Sequence, residues 1–195
     1  MSYGASAVGV AVVRGFELRT RLGPTGAWSA TATTVATAFT FTDRTAAGTY
    51  RVDVRALDSA GNVSGWREIT VMVPTDDARL VFSSGSSRIR GSAYYAGALL
   101  TTARTGAKIT LRFTGSSFCL LGRTSYASGQ LRITIDGVSY TVDEGYYAGR
   151  RSTATHYRVL LFNRALALRA HTVVITALGT RGRPTVAVDG VGWRN

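Results

Sequence analysis

One cysteine, two histidines, three prolines and one lysine are all that these 195 residues hold of those four types. The lone Cys119 excludes an intrachain disulfide and any cysteine-based metal cluster. Its surroundings, SFCLLG, are apolar, which reads as a buried structural thiol, because reactivity needs an exposed electropositive setting. His156 and His171 each open a predicted strand, so little is left for a nucleophile and its orienting base. No serine lies in a G-x-S-x-G elbow, and GSS at 115–117 and SSG at 83–85 read as turns. Phosphate-loop and dinucleotide fingerprints are missing too. No apolar run approaches the roughly 20 residues that cross a bilayer, so no membrane insertion is expected. The start, MSYGASAVGVAVVRG, has no basic n-region and reads as no signal peptide. That leaves a mature or trimmed export product, a piece of a longer exported chain, or a virion protein. Helical periodicity is scarce; LFNRALALRA at 161–170 is short and uncapped and reads as a loop or a single turn.

What is present is alternation of period two. FELRTRL sets Phe16, Leu18 and Leu22 against Glu17, Arg19 and Arg21, and TYRVDVRAL sets Tyr50, Val52, Val54 and Ala56 against Arg51, Asp53 and Arg55. ITLRFT directs Ile109, Leu111 and Phe113 inward. QLRITIDGVSYTVD is the clearest hairpin, with Asp136-Gly137 as its two-residue turn. Further strands are expected at 79–84, 117–122, 156–162, 171–178 and 185–188. Hydrophobic residues make up 45% of the chain, enough for folded cores. The fold class is therefore all-β, built as sandwiches.

Charge divides the chain. Residues 1–77 hold seven arginines and seven acids, whereas residues 78–195 hold fifteen arginines and Lys108 against four acids, an excess of twelve. Such an excess attracts polyanions: an anionic wall polymer, an acidic polysaccharide or a nucleic acid. The competing explanation is a solvated strand face in an arginine-biased composition. The arginines are spread over most strands with no recognition helix, so specific nucleic-acid binding is not expected. The break falls at VPTDDARL, where Pro74 cannot join a ladder as donor. Domains are set at 1–74, a linker at 75–79, and 80–195.

GTYRVDVRALDSAGNVSGW resembles the end of a fibronectin type III-like domain, where a strand runs through a D-x-x-G-N-x-S-x-W loop into the last strand. FELRTRLGPTGAW, with Trp28, resembles the preceding strand pair. The likeness covers about residues 9–73 and implies an immunoglobulin-like sandwich with Trp66 at the core edge. Only about fifteen residues precede FELRTRL, where such sandwiches have two more strands, so this domain is expected to be truncated. In the second half, GSAYYAGALLTTARTGAKITLRFTGSSFCLLGRT, GQLRITIDGVSYTVD, THYRVLLFN, RAHTVVITALGT and TVAVDGVGW are similar to the galactose-binding-like jelly rolls of secreted actinobacterial proteins. That resemblance spans nearly all of 78–195 and implies an accessory, often carbohydrate-binding module. It also implies that His171 is structural.

For a ligand, the loops offer aromatic faces beside guanidinium groups, the pairing that sugars call for. Arg123 and Tyr126 lie in GRTSYASG; Tyr146, Tyr147, Arg150 and Arg151 lie in DEGYYAGRRSTATHY. The alternative for all of them is packing at sheet edges. YYAG recurs at 94–97, which reads as shared turn chemistry and not as a repeat. Asp143-Glu144, adjacent at a strand end, reads as a solvated turn and not as a catalytic pair. No cofactor is expected, with Asp76-Asp77 the one place for a structural calcium ion. The expectation is thus a non-catalytic, extracellular or cell-surface binding module for carbohydrate or an anionic envelope polymer. Its partners would include upstream domains of a longer chain or a virion assembly. The alternatives are a spacer or phage tail fibre module without a ligand, and an accessory part of a secreted glycan hydrolase.

Overall fold

The computed structural model describes residues 11–38, 48–76 and 79–194. The chain is all-β and divides into two compact units, Met1–Val73 and Pro74–Asn195. No helix among the described residues is long and apolar enough to cross a membrane.

In the first unit β1 (Val13–Leu22), β2 (Ala32–Thr34), β3 (Gly48–Asp58) and β4 (Arg67–Val73) form an antiparallel sheet in the order β2-β1-β3-β4. Register places Leu18 opposite Val54 and Phe16 opposite Ala56. One face therefore collects Phe16, Leu18, Val52 and Val54 into a buried cluster. The D-x-x-G-N bend forms as its chemistry predicts: Asp58 Oδ1 accepts the amides of Ala60 and Asn62, and Gly61 takes φ +88°. Trp66 departs from expectation. It does not cap the core but lies on the opposite face, where guanidinium groups and indoles alternate. Arg19 stands 4.4 Å from both Trp28 and Trp66, Arg21 covers Trp28, and Arg55 covers Trp66. The same arginines neutralise local acids: Arg19 donates to the buried Asp53 at 2.8 and 3.0 Å, and Arg55 Nε donates to Glu17 at 2.6 Å. Alternation identified the arginine face but not that it would be roofed by tryptophan. Trp66→Ala removes two cation–π contacts and their apolar cover, and is expected to destabilise this unit by about 2 kcal/mol in denaturant unfolding. The truncation expected from the sequence turns on residues 1–10, which lie outside the described residues.

The second unit contains β5 (Thr75–Asp76), β6 (Ser87–Arg90), β7 (Ala98–Thr102), β8 (Lys108–Thr124), β9 (Gln130–Ile135), β10 (Val138–Asp143), β11 (Tyr146–Tyr147), β12 (Arg150–Arg151), β13 (His156–Ala177) and β14 (Val186–Arg194). The main sheet has the order β10-β9-β13-β8-β14-β7-β6, with β5 added on β14. Two long strands make this a jelly-roll-type sandwich. The first half of β8 and the second half of β13 pair with each other, and β13 pairs with β9. The second half of β8 pairs with β14. The sheet curls on itself, and both halves supply one core, with Ile109, Ile133 and Ile175 from one side and Phe118, Leu120 and Val188 from the other.

Three expectations are corrected. Residues 161–170 are strand, within β13, and register shifts at Leu160/Phe162 and Ala165/Arg169 explain why their alternation is broken. GSS at 115–117 is not a turn but the middle of β8. Residues 79–84 are not a strand; they still bury Leu80 and Phe82 in the core. The predicted hairpin forms with Val138 opposite Ile135, and both turn residues take positive φ, Asp136 at 48° and Gly137 at 89°. Thr75 and Asp76, read as linker, hydrogen-bond to β14 as β5. Asp77 lies outside the described residues.

Candidate functional site

The strand ends after β8 and β10 converge on a set of short loops. Ser125 N–H donates to the Glu144 carbonyl, Glu144 N–H to Gly129, and Ser128 N–H to Ser125, which fixes a tight 125–128 turn with Tyr126 at its tip. Ser152 N–H donates to the Gly145 carbonyl at 2.8 Å and closes the 145–152 loop at its base. Inside it β11 and β12 form a miniature hairpin through Ala148 at φ 49° and Gly149 at φ 78°. The other YYAG segment makes the same turn, with Ala96 at 49° and Gly97 at 84°.

Cross-strand pairing decides what the loop presents. Tyr146 stands opposite Arg151 and Tyr147 opposite Arg150, so the two tyrosines face opposite sides. The Arg151 guanidinium lies 4.8 Å from the Tyr126 ring and 5.9 Å from the Tyr146 ring, and its Nη2 donates to the Tyr126 carbonyl at 2.9 Å. Tyr126 and Tyr146 remain 66% and 47% exposed. On the other side Tyr147, 44% exposed, stacks on His156 at 3.7 Å between centroids and 14° between planes. Nothing in the spacing of these residues marks His156 for this contact.

The structure thus brings together Tyr126, Tyr146 and Arg151, and sets Tyr147 and Arg150 on the reverse of the same hairpin. Arg123 does not join them. It is half-buried, its Nε has no hydrogen-bond partner, and its charge acts on Glu144.

Behind the loop, Asp143 ends β10 and Glu144 opens the turn after it, and neither is solvated as expected. Asp143 receives both terminal nitrogens of Arg183, the Gln130 amide at 2.9 Å and the Gly145 N–H at 2.8 Å; Arg183 also donates to the Ser128 carbonyl at 2.7 Å. Burial opposes ionisation of Asp143, yet the bonds from Arg183, Gln130 and Gly145 outweigh it and hold the carboxyl at about 2. A Cβ at Gly145 would stand 2.3 Å from Arg183 Nη1 and 2.9 Å from Asp143 Oδ1, so a side chain there would press on the ion pair. Glu144 is fully buried, with its oxygens 2.9 and 3.1 Å from the Ala187 N–H. Burial pushes its carboxyl well above the usual range, the Ala187 bond and Arg123 oppose this, and Asp143 adds to it.

At the far end of β9 and β10, His171 is buried with Nδ1 2.7 Å from Asp136 and Nε2 2.8 Å from the Ala167 carbonyl. Both partners are acceptors, so both ring nitrogens carry protons and neither acts as a base. The Asp136 hydrogen bond, opposed by desolvation and aided by the Ala167 carbonyl, raises the His171 pKa. A group whose folded pKa is raised supports the fold below its unfolded value and loses that support as pH rises through the folded value. Glu144, also raised, acts in the same direction above pH 4.5. Stability is therefore expected to fall in urea titrations as pH rises above 4.5 and more steeply above 6.5, and His171→Gln is expected to flatten the part above 6.5.

No group of three or more His, Cys, Asp or Glu side chains suited to a metal occurs among the described residues.

No family model matches the chain, and no curated protein sequence matches it. Among solved structures it is similar to an exo-β-1,3-galactanase of Phanerochaete chrysosporium, crystallised with galactose, at 14% identity over 71% of this chain and 32% of that one, TM-score 0.45. It is also similar to the CBM36-1 domain of a multidomain xylanase from the hindgut metagenome of Trinervitermes trinervoides, at 13% identity over 62% of this chain and 94% of that one, TM-score 0.43. A two-domain esterase active on acetylated mannans, co-crystallised with mannopentaose, shares 14% identity over 63% of this chain and 36% of its own, TM-score 0.45. The chain spans about a third of the galactanase and the esterase. At these identities and scores no residue role transfers from any of them.

Proposed function

We propose that this protein is a non-catalytic binding module that works outside the producing cell. It holds a glycan or an anionic envelope polymer on the surface formed by Tyr126, Arg151 and Tyr146. The observation that carries this reading is the preorganised stack: two exposed rings with a guanidinium between them, on loops pinned at their bases. Rings of this kind pack against the C–H faces of sugars, and a planar guanidinium offers paired donors to hydroxyls or carboxylates. Rigid loops lower the ordering cost of binding.

The choice of an anionic partner follows from the acids. All four carboxylates of the second half are committed within the fold: Asp136 to His171, Asp143 to Arg183, Glu144 to Ala187, and Asp189 to the Tyr95 amide. The basic excess counted from the sequence is thus not offset by free surface acids of that half. In the first unit the arginines of the tryptophan ladder are paired with acids, which supports reading it as a fibronectin type III-like spacer.

Retention on immobilised polymers tests this. The folded protein is expected to bind polygalacturonate or a wall teichoic acid at low ionic strength and to release as salt rises above about 0.3 M, where the Debye length falls below roughly 6 Å. A folded protein that is retained on none of these, nor on neutral galactan or mannan, would contradict the reading and favour a spacer or virion assembly role.

A further inference from the structure

A second surface of the jelly roll offers a cluster of polar groups, at the opposite end of the β9–β10 hairpin from the tyrosine loops. A depression of about 370 Å³ opens there, lined by Arg112, Phe113, Thr114, Asp136, His171 and Thr172. Its size lies within the range of small-molecule sites. We propose that it binds the anionic ring of an acidic sugar, such as a uronic acid residue.

The residues across the site follow from register. Ladder pairing sets Thr172 opposite Arg112 and His171 opposite Phe113, and Asp136 exchanges hydrogen bonds with the backbone of Thr172. Arg112, Thr172 and Asp136 therefore form a row over about two strand spacings, roughly 10 Å, which suits a single hexose ring.

One side of the row is already ion-paired within itself. Asp136 Oδ1 accepts the Thr172 N–H at 2.9 Å, and Oδ2 faces His171 Nδ1 at 2.7 Å and Arg169 Nη2 at 2.8 Å. With His171 donating from both ring nitrogens, to Asp136 and to the Ala167 carbonyl, Asp136 meets two cations and one positive charge is left over. Arg112 adds another, with no acidic partner among the described residues. The Thr114 and Thr172 hydroxyls likewise have no protein partner there. A planar carboxylate matches the Arg112 fork, and ring hydroxyls match the threonines.

The floor is rigid. Phe113 is buried and stacks on Phe118 at 5.8 Å and on Trp193 at 5.2 Å, and its ring lies 5.4 Å from His171. The arrangement of two spare hydroxyls, a free guanidinium and a net positive wall is more than an inorganic anion requires.

The test is an amide chemical-shift titration of the full chain with galacturonate, galactose and inorganic phosphate in turn. Galacturonate is expected to shift the Thr114 and Thr172 amides saturably, and Arg112→Gln is expected to weaken that response at least tenfold while the rest of the spectrum keeps its native dispersion. Galactose should leave these amides unmoved, and phosphate should bind at least tenfold more weakly than galacturonate. The site stands apart from the tyrosine surface, so Tyr126→Ala should leave the response intact whether or not the first site binds anything. No saturable shift with galacturonate, an unchanged response in Arg112→Gln, phosphate binding as tight as the sugar acid, or loss of the response in Tyr126→Ala would each overturn the proposal.

Discussion

Arg183→Ala is expected to cost the second unit about 3 kcal/mol, read as a lowered midpoint in urea at pH 7. Removing one member of a mostly buried ion pair strands the other, a loss of roughly 3–5 kcal/mol when solvent is fully excluded. The Arg183 and Asp143 side chains are 14% and 19% exposed, which places the effect at the lower end. The Ser128 carbonyl loses its donor as well. The variant also changes the response to acid. Asp143 is held at about 2, below its ordinary 3.8, so its contribution is present above pH 4 and disappears as pH falls toward 2. That contribution is about 2 kcal/mol in the parent chain at one pKa unit per 1.36 kcal/mol, allowing for partial exposure. In Arg183→Ala the acid-induced loss should shrink and its midpoint should move toward pH 4. With the decline that Glu144 begins above pH 4.5 and His171 adds to above pH 6.5, the parent chain is predicted to be most stable near pH 4–5. A variant within 0.5 kcal/mol of the parent would show that the pair is solvated in practice.

Paired substitution of Tyr126 and Arg151 by alanine is expected to reduce binding to an acidic polysaccharide at least tenfold, or about 1.4 kcal/mol. Aromatic and arginine side chains dominate the energetics of most binding surfaces, and here they support each other. Tyr126 is 66% exposed at a turn tip and Arg151 lies in the short surface hairpin β11–β12, so the folding free energy should change by less than about 1 kcal/mol. Arg151→Lys separates shape from charge. Lysine keeps the charge but cannot lie flat between two rings or present paired donors. An intermediate loss supports stacking recognition, whereas full retention would reduce Arg151 to a point charge.

Much of this architecture was legible because local chemistry and burial agree. The β9–β10 hairpin carries alternation on both arms and an Asp-Gly turn between them, and it folds in that register. The Asp58 bend is fixed by hydrogen bonds that its own sequence supplies. The tyrosine–arginine loop was visible as aromatics and guanidinium groups concentrated in a turn-rich segment. Alternation fails where a strand is bulged or covered on both faces. Residues 161–170 shift register twice and so lose their period. Arg123 lies on the face of β8 that also carries Cys119, a face that is covered in the fold, so an arginine expected in the open is half-buried. Glu144 is hidden for a similar reason: a charged residue at a strand end looks solvated until the neighbouring β14 amide takes its carboxyl. The pairing of Tyr147 with His156 joins residues nine apart through a loop and leaves no trace in spacing.

Calorimetric titration of the full chain with polygalacturonate, beside the Tyr126→Ala/Tyr146→Ala/Arg151→Ala variant, addresses the holding role most directly. Saturable heat from the parent that vanishes in a variant with a near-parental unfolding midpoint is the predicted result. Equal heats from both proteins, or none from a folded parent toward acidic and neutral polymers alike, would contradict it.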